Sequence, residues 1–107
     1  SADGVNWNRA MEQAPWKARI WFSAVVYRDR MWVLGGSTHG NELIVDVWHS
    51  KDGEKWSELK SDVTWSARHE HSAFVFKDRI WVAGGHARPL NSEVWSLRIP
   101  ETWFKNE

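Results

Sequence analysis

The sequence predicts an all-β protein built from two similar units, each with four short antiparallel strands. The first observation is an internal repeat, because residues 16–36 return about 49 residues later as residues 65–85. The second is that apolar residues fall in short β-branched and aromatic runs separated by polar turns. The third is that no stretch carries the apolar period of an amphipathic helix. A repeat of this length is typical of architectures in which each unit buries its apolar face against a neighbour.

A hairpin opens the first unit. Residues 22–27 form an apolar run that ends at the polar residues 28–30, and residues 31–34 form a second run that ends at Gly35 and Gly36. A strand, a tight polar turn and a second strand are the signature of a β-hairpin. Paired glycines predict a sharp turn or a close approach of the backbone to another segment, since glycine tolerates positive φ.

Two further strands complete this unit. After the polar loop 37–42, residues 44–49 form the third predicted strand. Asp52 and Gly53 predict a turn, because aspartate accepts hydrogen bonds from the following backbone and glycine adopts the left-handed conformation. Residues 55–59 alternate polar and apolar side chains, which is typical of a strand with one exposed face.

The second unit repeats this order with small changes of spacing. Its predicted strands are residues 71–76, 80–83, 93–98 and a short stretch near 102–104. Residues 1–7 match residues 50–56, so they resemble the turn before a fourth strand. The predicted organisation is an outer strand of a neighbouring unit in residues 1–14, a first unit in 15–62 and a second in 63–107.

Composition excludes several functions. Fourteen basic and fourteen acidic residues cancel, without a block of like charge, so we expect neither a nucleic acid nor a membrane surface as partner. The absence of cysteine excludes disulfides, thiolate metal sites and cysteine nucleophiles. The apolar runs are too short for a membrane-spanning helix.

The chain contains ten tryptophans, and most recur at equivalent positions of the repeat. The sets are Trp7, Trp56 and Trp103; Trp16 and Trp65; Trp32 and Trp81; and Trp48 and Trp95. Recurrence in register indicates a packing role for these side chains. Trp21 stands outside the sets, because the equivalent residue of the second unit is Glu70.

Four short antiparallel strands in about 50 residues, repeated along the chain, are typical of the blades of a β-propeller. The repeated motif resembles the kelch repeat: arginine and serine before the first strand, an aromatic residue shortly before a double glycine, a Val-Trp pair and a later tryptophan. It occurs as Arg19, Ser23, Trp32-Val33-Leu34-Gly35-Gly36, Val47-Trp48 and Trp56, and again as Arg68, Ser72, Trp81-Val82-Ala83-Gly84-Gly85, Val94-Trp95 and Trp103. Kelch repeats usually have tyrosine where Trp32 and Trp81 stand.

The resemblance implies an architecture and a place for function. In kelch propellers the first strand of each blade lines a central channel and the fourth forms the rim, so loops 37–42 and 86–92 would lie at the ligand-facing end. We expect a binding module that recognises a peptide or a glycan there, without catalysis. The alternatives are a carbohydrate-active enzyme, similar to sugar-acid epimerases or mutarotases, with a site in the channel, and a structural fragment of a larger propeller.

Candidate ligand-binding residues fall into three groups. Arg19 and Arg68 are equivalent and present guanidinium groups suited to a carboxylate, or bond carbonyls and acids of a neighbouring blade. Trp21 and Glu70 are equivalent but different, and a repeat protein diversifies where it binds. An exposed Trp21 would be an anchor for a sugar or peptide side chain, and a buried one would pack between blades. The remaining candidates are the loop residues His39, Asn41, His86 and Arg88.

We expect no metal, cofactor or catalytic residue. His69, His71 and His86 would together suit zinc, but His71 occupies the position of Phe22, which favours a packing role. Copper oxidases of similar fold use a cysteine-tyrosine pair, and this chain has no cysteine. Phosphate-binding and serine-nucleophile motifs are absent from the sequence.

Propellers have about four to eight blades, and this sequence encodes two. The two outer apolar faces would each expose about two large side chains. Burying these side chains would stabilise the protein by roughly 6–12 kcal/mol in total. That is comparable with the whole stability of a domain, about 5–15 kcal/mol. We therefore expect head-to-tail association of copies, with three chains in a ring, or association with missing blades of a longer chain. Residues 1–9 and 100–107 compete for the role of the outer strand beside residues 93–98.

Overall fold

The computed structural model describes residues 1–105, which form two antiparallel sheets and one short helix. The first sheet contains four strands in the order β1-β2-β3-β4, and the second contains three in the order β5-β6-β7. The elements are β1 Ser23–Tyr27, β2 Arg30–Ser37, β3 Leu43–Ser50, β4 Ser57–Glu58, β5 Ser72–Phe76, β6 Arg79–Ala83, β7 Val94–Leu97 and α1 Glu101–Lys105. The all-β prediction is confirmed, with two antiparallel sheets of four and three strands.

Each sheet begins with a hairpin closed by a two-residue turn. Arg28 and Asp29 have φ values of 52° and 56°, and the equivalent Lys77 and Asp78 have 51° and 56°. Two successive positive φ values define the turn type whose twist matches that of the flanking strands. The register is therefore fixed close to the turn, with Tyr27 opposite Arg30 and its counterpart Phe76 opposite Arg79 in the second sheet.

The double glycine allows close approach of another segment. In the second sheet β6 ends directly before it, as predicted, but in the first sheet it does not end β2. β2 continues through it to Ser37, with an irregularity in its pairing to β3 between Leu34 and Gly36. A Cβ atom on Gly36, whose φ is 109°, would lie 2.8 Å from the Ile20 carbonyl oxygen. A Cβ atom on the equivalent Gly85 would lie 2.6 Å from the His69 carbonyl oxygen. Glycine is required at both positions because the segment before the first strand crosses there.

The core lies between the two sheets. Its buried side chains are Tyr27, Trp32, Leu34 and Val47 from the first sheet, and Trp65, Ile80, Val82 and Ile99 from the second unit. Trp32 is fully buried, and its indole N–H donates to the Tyr27 carbonyl at 2.8 Å, so the burial leaves no polar group unpaired. The predicted packing role of Trp32 is confirmed.

The strand predicted near residues 102–104 is wrong. Residues 101–105 form α1, where the Trp103 N–H donates to the Pro100 carbonyl at 3.0 Å. Proline supplies no N–H for a sheet ladder and suits the start of a helix. Trp103 leaves the edge of the second sheet and packs against Trp32 and His49, with ring centroids 6.3 and 5.1 Å away. It therefore does not belong with Trp7 and Trp56 in position or role.

The second sheet consequently has three strands and not the predicted four. Among residues 1–105, β7 pairs with β6 on one side and with no strand on the other. Within the same part of the chain, no helix is long and apolar enough to cross a membrane.

Residues 1–9 contain no strand, but they form the predicted turn. The Asp3 carboxylate accepts the N–H groups of Val5 and Asn6, each at 2.8 Å. The Asp52 carboxylate accepts the equivalent N–H groups of Glu54 and Lys55 at the same distances. The turn that leads into β4 is thus present a second time in residues 3–6, where it is followed by no strand before β1.

Candidate functional site

The candidate site lies where β1 and β5 begin side by side. Trp21 and Glu70 come shortly before these strands, and both have left-handed backbones, with φ values of 57° and 55°. The Glu70 N–H donates to the Trp21 carbonyl at 2.8 Å. The two residues that break the repeat are therefore adjacent across the two sheets.

Three rings form a stack that spans both sheets. The Trp21 ring lies 4.8 Å from the His69 ring between centroids, and the His69 ring lies 4.9 Å from the His86 ring at an interplanar angle of 20°. Two backbone hydrogen bonds between His69 and His86, of 3.1 and 2.8 Å, fix the second pair. We call Trp21, His69 and His86 the ring stack.

His69 is the member that the sequence did not assign to ligand binding. Its repeat partner is Ile20, so it also departs from the repeat, and that departure was the available signal. The sequence shows His69 as one of two alternating histidines but gives no ring positions. The stacking depends on a bridge between residues 69 and 86 that forms only in the folded sheet.

Trp21 offers an aromatic surface, backed by the buried His69 ring, with an acidic group beside it. The Trp21 side chain is 49% exposed, and the Glu70 carboxylate is well exposed and lies 3.1 Å from His69 Nδ1. Since no aligned hydrogen bond to His69 Nδ1 forms, this contact is a close approach of an ionisable pair. The arrangement suits a ligand that stacks on the indole and donates hydrogen bonds to the carboxylate.

The two predicted loops also meet. Arg88 donates from Nη1 to the Asn41 carbonyl at 3.2 Å, and Asn41 itself has a left-handed φ of 64°. His39 is exposed in the first of these loops. Because His86 begins the second loop, the loop pair continues the surface of the ring stack.

The side chains of Arg19 and Arg68 are buried and form hydrogen bonds within the protein. The Arg19 side chain is buried, and its guanidinium donates to both carboxylate oxygens of Asp46 and to the Gly35 carbonyl at 3.0 Å. Burial raises the pKa of Asp46, but the hydrogen bonds from Arg19 and Trp48 outweigh it and hold the pKa below its ordinary value. The partners belong to the same sheet, whereas the sequence suggested a ligand or the neighbouring unit.

Arg68 repeats this arrangement in the second unit. Its fully buried side chain donates to the Gly84 carbonyl and to Asn91 Oδ1, both at 2.9 Å, and lies 3.4 Å from the Glu93 carboxylate. Both guanidinium groups are thus engaged inside the protein.

His71 is a wedge between the sheets. Its ring is buried, both ring nitrogens lack a hydrogen-bond partner, and a Cβ atom on Gly35 would lie 2.8 Å from its Cε1. Burial and the nearby Arg68 lower the pKa of His71 to about 4, so the ring is neutral at pH 7. The packing role expected for His71 fits this environment. No group of three histidine or carboxylate side chains in the described chain is arranged to hold a metal ion.

An apolar cleft of about 230 Å³ opens elsewhere, between the outer strands of the two sheets. Its walls include Val47, Leu59, Trp65, Val82 and Leu97, and it shares no residue with the ring stack or the two loops. The cleft therefore lies apart from the surface that the repeat-breaking residues form.

A scan of the chain against models of known protein families finds no match, and a search among curated proteins finds none either.

Proposed function

We propose that the chain supplies two blades of a kelch-type β-propeller, completed by oligomerisation or by further blades, that acts as a binding module without catalysis of its own. Its ligand is a peptide or a glycan, held by the ring stack, Glu70 and the loops 37–42 and 86–92. The kelch-like motif, its two copies and the hairpin order support this assignment of architecture.

The observation that carries the proposal is the exposed Trp21 at the head of the ring stack. A large aromatic residue that departs from the repeat, and that the fold leaves half exposed, is the kind of anchor that dominates recognition surfaces. The buried His69 ring backs the Trp21 indole, and the half-buried His86 ring lies behind it in the second unit, so the stack holds the exposed indole in place.

Polar groups around the rings support recognition by hydrogen bonding. The Glu70 carboxylate accepts bonds from hydroxyl or ammonium groups, and the Arg88 guanidinium donates to carbonyl or carboxylate groups. The buried Arg19 and Arg68 shape this end of the molecule through their hold on Gly35 and Gly84.

The test is a screen of the chain on a glycan array and a peptide library, followed by titration of the best ligand. We expect Trp21→Ala to weaken binding roughly 30-fold, since hot-spot side chains contribute about 2 kcal/mol. Glu70→Gln should weaken it less, by the loss of charge. Lys60→Ala is the control, because Lys60 is exposed and is distant in sequence from these loops. The variant should bind the ligand with the parent's affinity.

Either of two results would contradict the proposal. One is the absence of any ligand from both libraries. The other is a ligand that binds Trp21→Ala and the parent equally.

A further inference from the structure

The second sheet leaves exposed an apolar face that the first sheet buries. Tyr27 and Trp32 are buried, because they pack towards the second sheet and α1. Their repeat partners are Phe76, which is 56% exposed, and Trp81, which is half-buried. Phe74, beside them on β5, is also exposed. The same face is thus a core surface in one sheet and an open surface in the other.

The first sheet exposes the complementary face. Ile80 of the second sheet is fully buried in the core between the sheets. Its repeat partner Met31 is 38% exposed, and Val26, on the neighbouring strand, is 72% exposed. The two faces that meet inside the chain therefore recur, unpaired, at its two ends. Such a pair of different, complementary surfaces produces head-to-tail contacts between copies.

Hydrogen bonds across the internal contact give the geometry of such a join. Gly36 N donates to the Arg68 carbonyl at 3.0 Å, and Ser23 Oγ donates to the His71 carbonyl at 2.7 Å. Applied to the open ends, the repeat pairs Gly85 N with the carbonyl of Arg19 in a second copy. It also pairs Ser72 Oγ with the carbonyl of Phe22 in that copy.

The free edge of β7 supplies a second, independent surface. In the first sheet, β4 covers β3, with Ser57 opposite His49 and Glu58 opposite Trp48. The repeat partners of Ser57 and Glu58 are Asn8 and Arg9, which follow the Asp3 turn and pair with no strand in residues 1–105. β7 has no strand on its outer side in the same range, because the residues after Pro100 form α1.

We propose that the chain associates head to tail with a second copy of itself, and that residues 8–9 of the second copy add to β7 as its missing outer strand. Asn8 then lies opposite Ser96 and Arg9 opposite Trp95. Phe74, Phe76 and Trp81 of one copy pack against the Met31 face of the other. The proposal concerns assembly and does not depend on the ligand.

The occupant is a second copy, since the chain's own N-terminal segment lies on the wrong side. Residues 57–72 lead from the edge of the first sheet into the second sheet. By the repeat, residues 8–23 lead from the edge of a preceding sheet into the first. Residues 1–9 therefore belong beside the first sheet, on the side away from β7. Closure of a ring of about four to eight sheets takes roughly two to four chains, and we expect three.

Disulfide trapping tests the register of residues 8–9 against β7. The sequence has no native cysteine, so only the introduced cysteines can form a disulfide. The variant Asn8→Cys/Ser96→Cys is oxidised and run on a non-reducing gel. Opposed residues of antiparallel strands lie within disulfide range, so we expect most chains in covalent multimers. The control Arg9→Cys/Ser96→Cys is displaced by one residue and should remain mainly monomeric. A disulfide confined to single chains, or equal trapping by both pairs, would overturn the proposal.

Light scattering, which measures the mass of the assembly, tests the role of the exposed apolar face of the second sheet. At micromolar concentration the parent should have the mass of two or more chains of 12.5 kDa each. Phe76→Asp should lower the mass to one chain with the circular dichroism spectrum retained, because Phe76 is exposed within the single chain. A folded parent that is monomeric at these concentrations would defeat the proposal.

Discussion

Two tryptophans near the start of the first sheet show how the repeat separates packing from recognition. Trp32 has a tryptophan as its repeat partner and is fully buried, whereas Trp21 has Glu70 as its partner and is half exposed. Conserving a residue between two copies of a unit indicates a shared structural need. A difference at an exposed position leaves that position available for a ligand.

We expect Trp32→Ala to destabilise the fold by about 3–5 kcal/mol, the cost of emptying a buried aromatic site. Trp21→Ala should cost less than about 1 kcal/mol, since half of the side chain is already in water. Thermal melts of the two variants measure the difference. Equal losses of melting temperature would show that Trp21 is a core residue as well.

His71 predicts a pH dependence of stability. Its pKa falls from an ordinary 6.5 to about 4 in the folded protein. Between these values the unfolded chain binds the proton and the folded chain does not, so stability rises with pH through this window and is lost as pH falls from about 6.5 to 4. The full effect is of the order of 3 kcal/mol.

The check is urea denaturation of the parent and of His71→Leu at several pH values between 4 and 7. The variant removes both the proton site and two unpaired ring nitrogens, so its stability should vary less over this range. His39→Gln, an exposed loop histidine, is the control and should follow the parent. The same pH dependence in His71→Leu would show that another group is responsible.

The residue scale also marks a limit of the sequence. The repeat identifies Trp21 and Glu70 as exceptional, and the fold brings them together. The repeat does not reveal that Arg19 is buried. Its partner Asp46 lies on β3, and only the register of β3 in the sheet places the Asp46 carboxylate beside the Arg19 guanidinium. Which residues face each other across a sheet depends on how the strands pair, and a local sequence pattern does not specify that pairing.

At the scale of elements, local turn chemistry was the most reliable signal. The polar residues 28–29 and 77–78 occupy matching turns, and the Asp3 and Asp52 turns have matching hydrogen bonds. The error at the C-terminus came from spacing: Trp103 stands as far from Trp95 as Trp56 from Trp48. Pro100 and the missing Asp-Gly turn outweigh that spacing, so a helix forms where a strand was predicted.

The two aspartate turns allow a matched test at this scale. Asp52→Ala removes the acceptor for Glu54 and Lys55 and loosens the connection between β3 and β4, so it should lower the melting temperature. Asp3→Ala removes the same bonds in a segment that pairs with no strand of its own chain in residues 1–105. It should leave the melting temperature of dilute protein unchanged. A drop of equal size in both variants would show that residues 1–9 are integrated into the fold of the single chain.

At the scale of the molecule, contacts from the second unit hold the two sheets as one body. The main contribution is the core between the sheets, completed at one end by α1. Arg28 adds ion pairs with Asp78 and Glu101, which are exposed and contribute little. The exposed aromatic residues of β5 show where this body remains incomplete by itself.

The last prediction compares two tryptophans that are equivalent in the sequence repeat but have different structural surroundings. Trp103 packs on Trp32, and its ring lies 4.8 Å from the Arg30 guanidinium carbon, so Trp103→Ala should cost about 3 kcal/mol. The melting temperature of dilute protein would fall by roughly 10 °C or more. Trp7 is 78% exposed, so Trp7→Ala should have the parent's melting temperature at low concentration.

Association stabilises a protein in proportion to the logarithm of its concentration. The parent's melting temperature should therefore rise with concentration, and that of Trp7→Ala should rise less, because its outer strand packs poorly on the next copy. Scanning calorimetry over a hundredfold range of concentration measures both effects. A parent whose melting temperature is independent of concentration would refute the assembly role of Trp7, whatever Trp103 does.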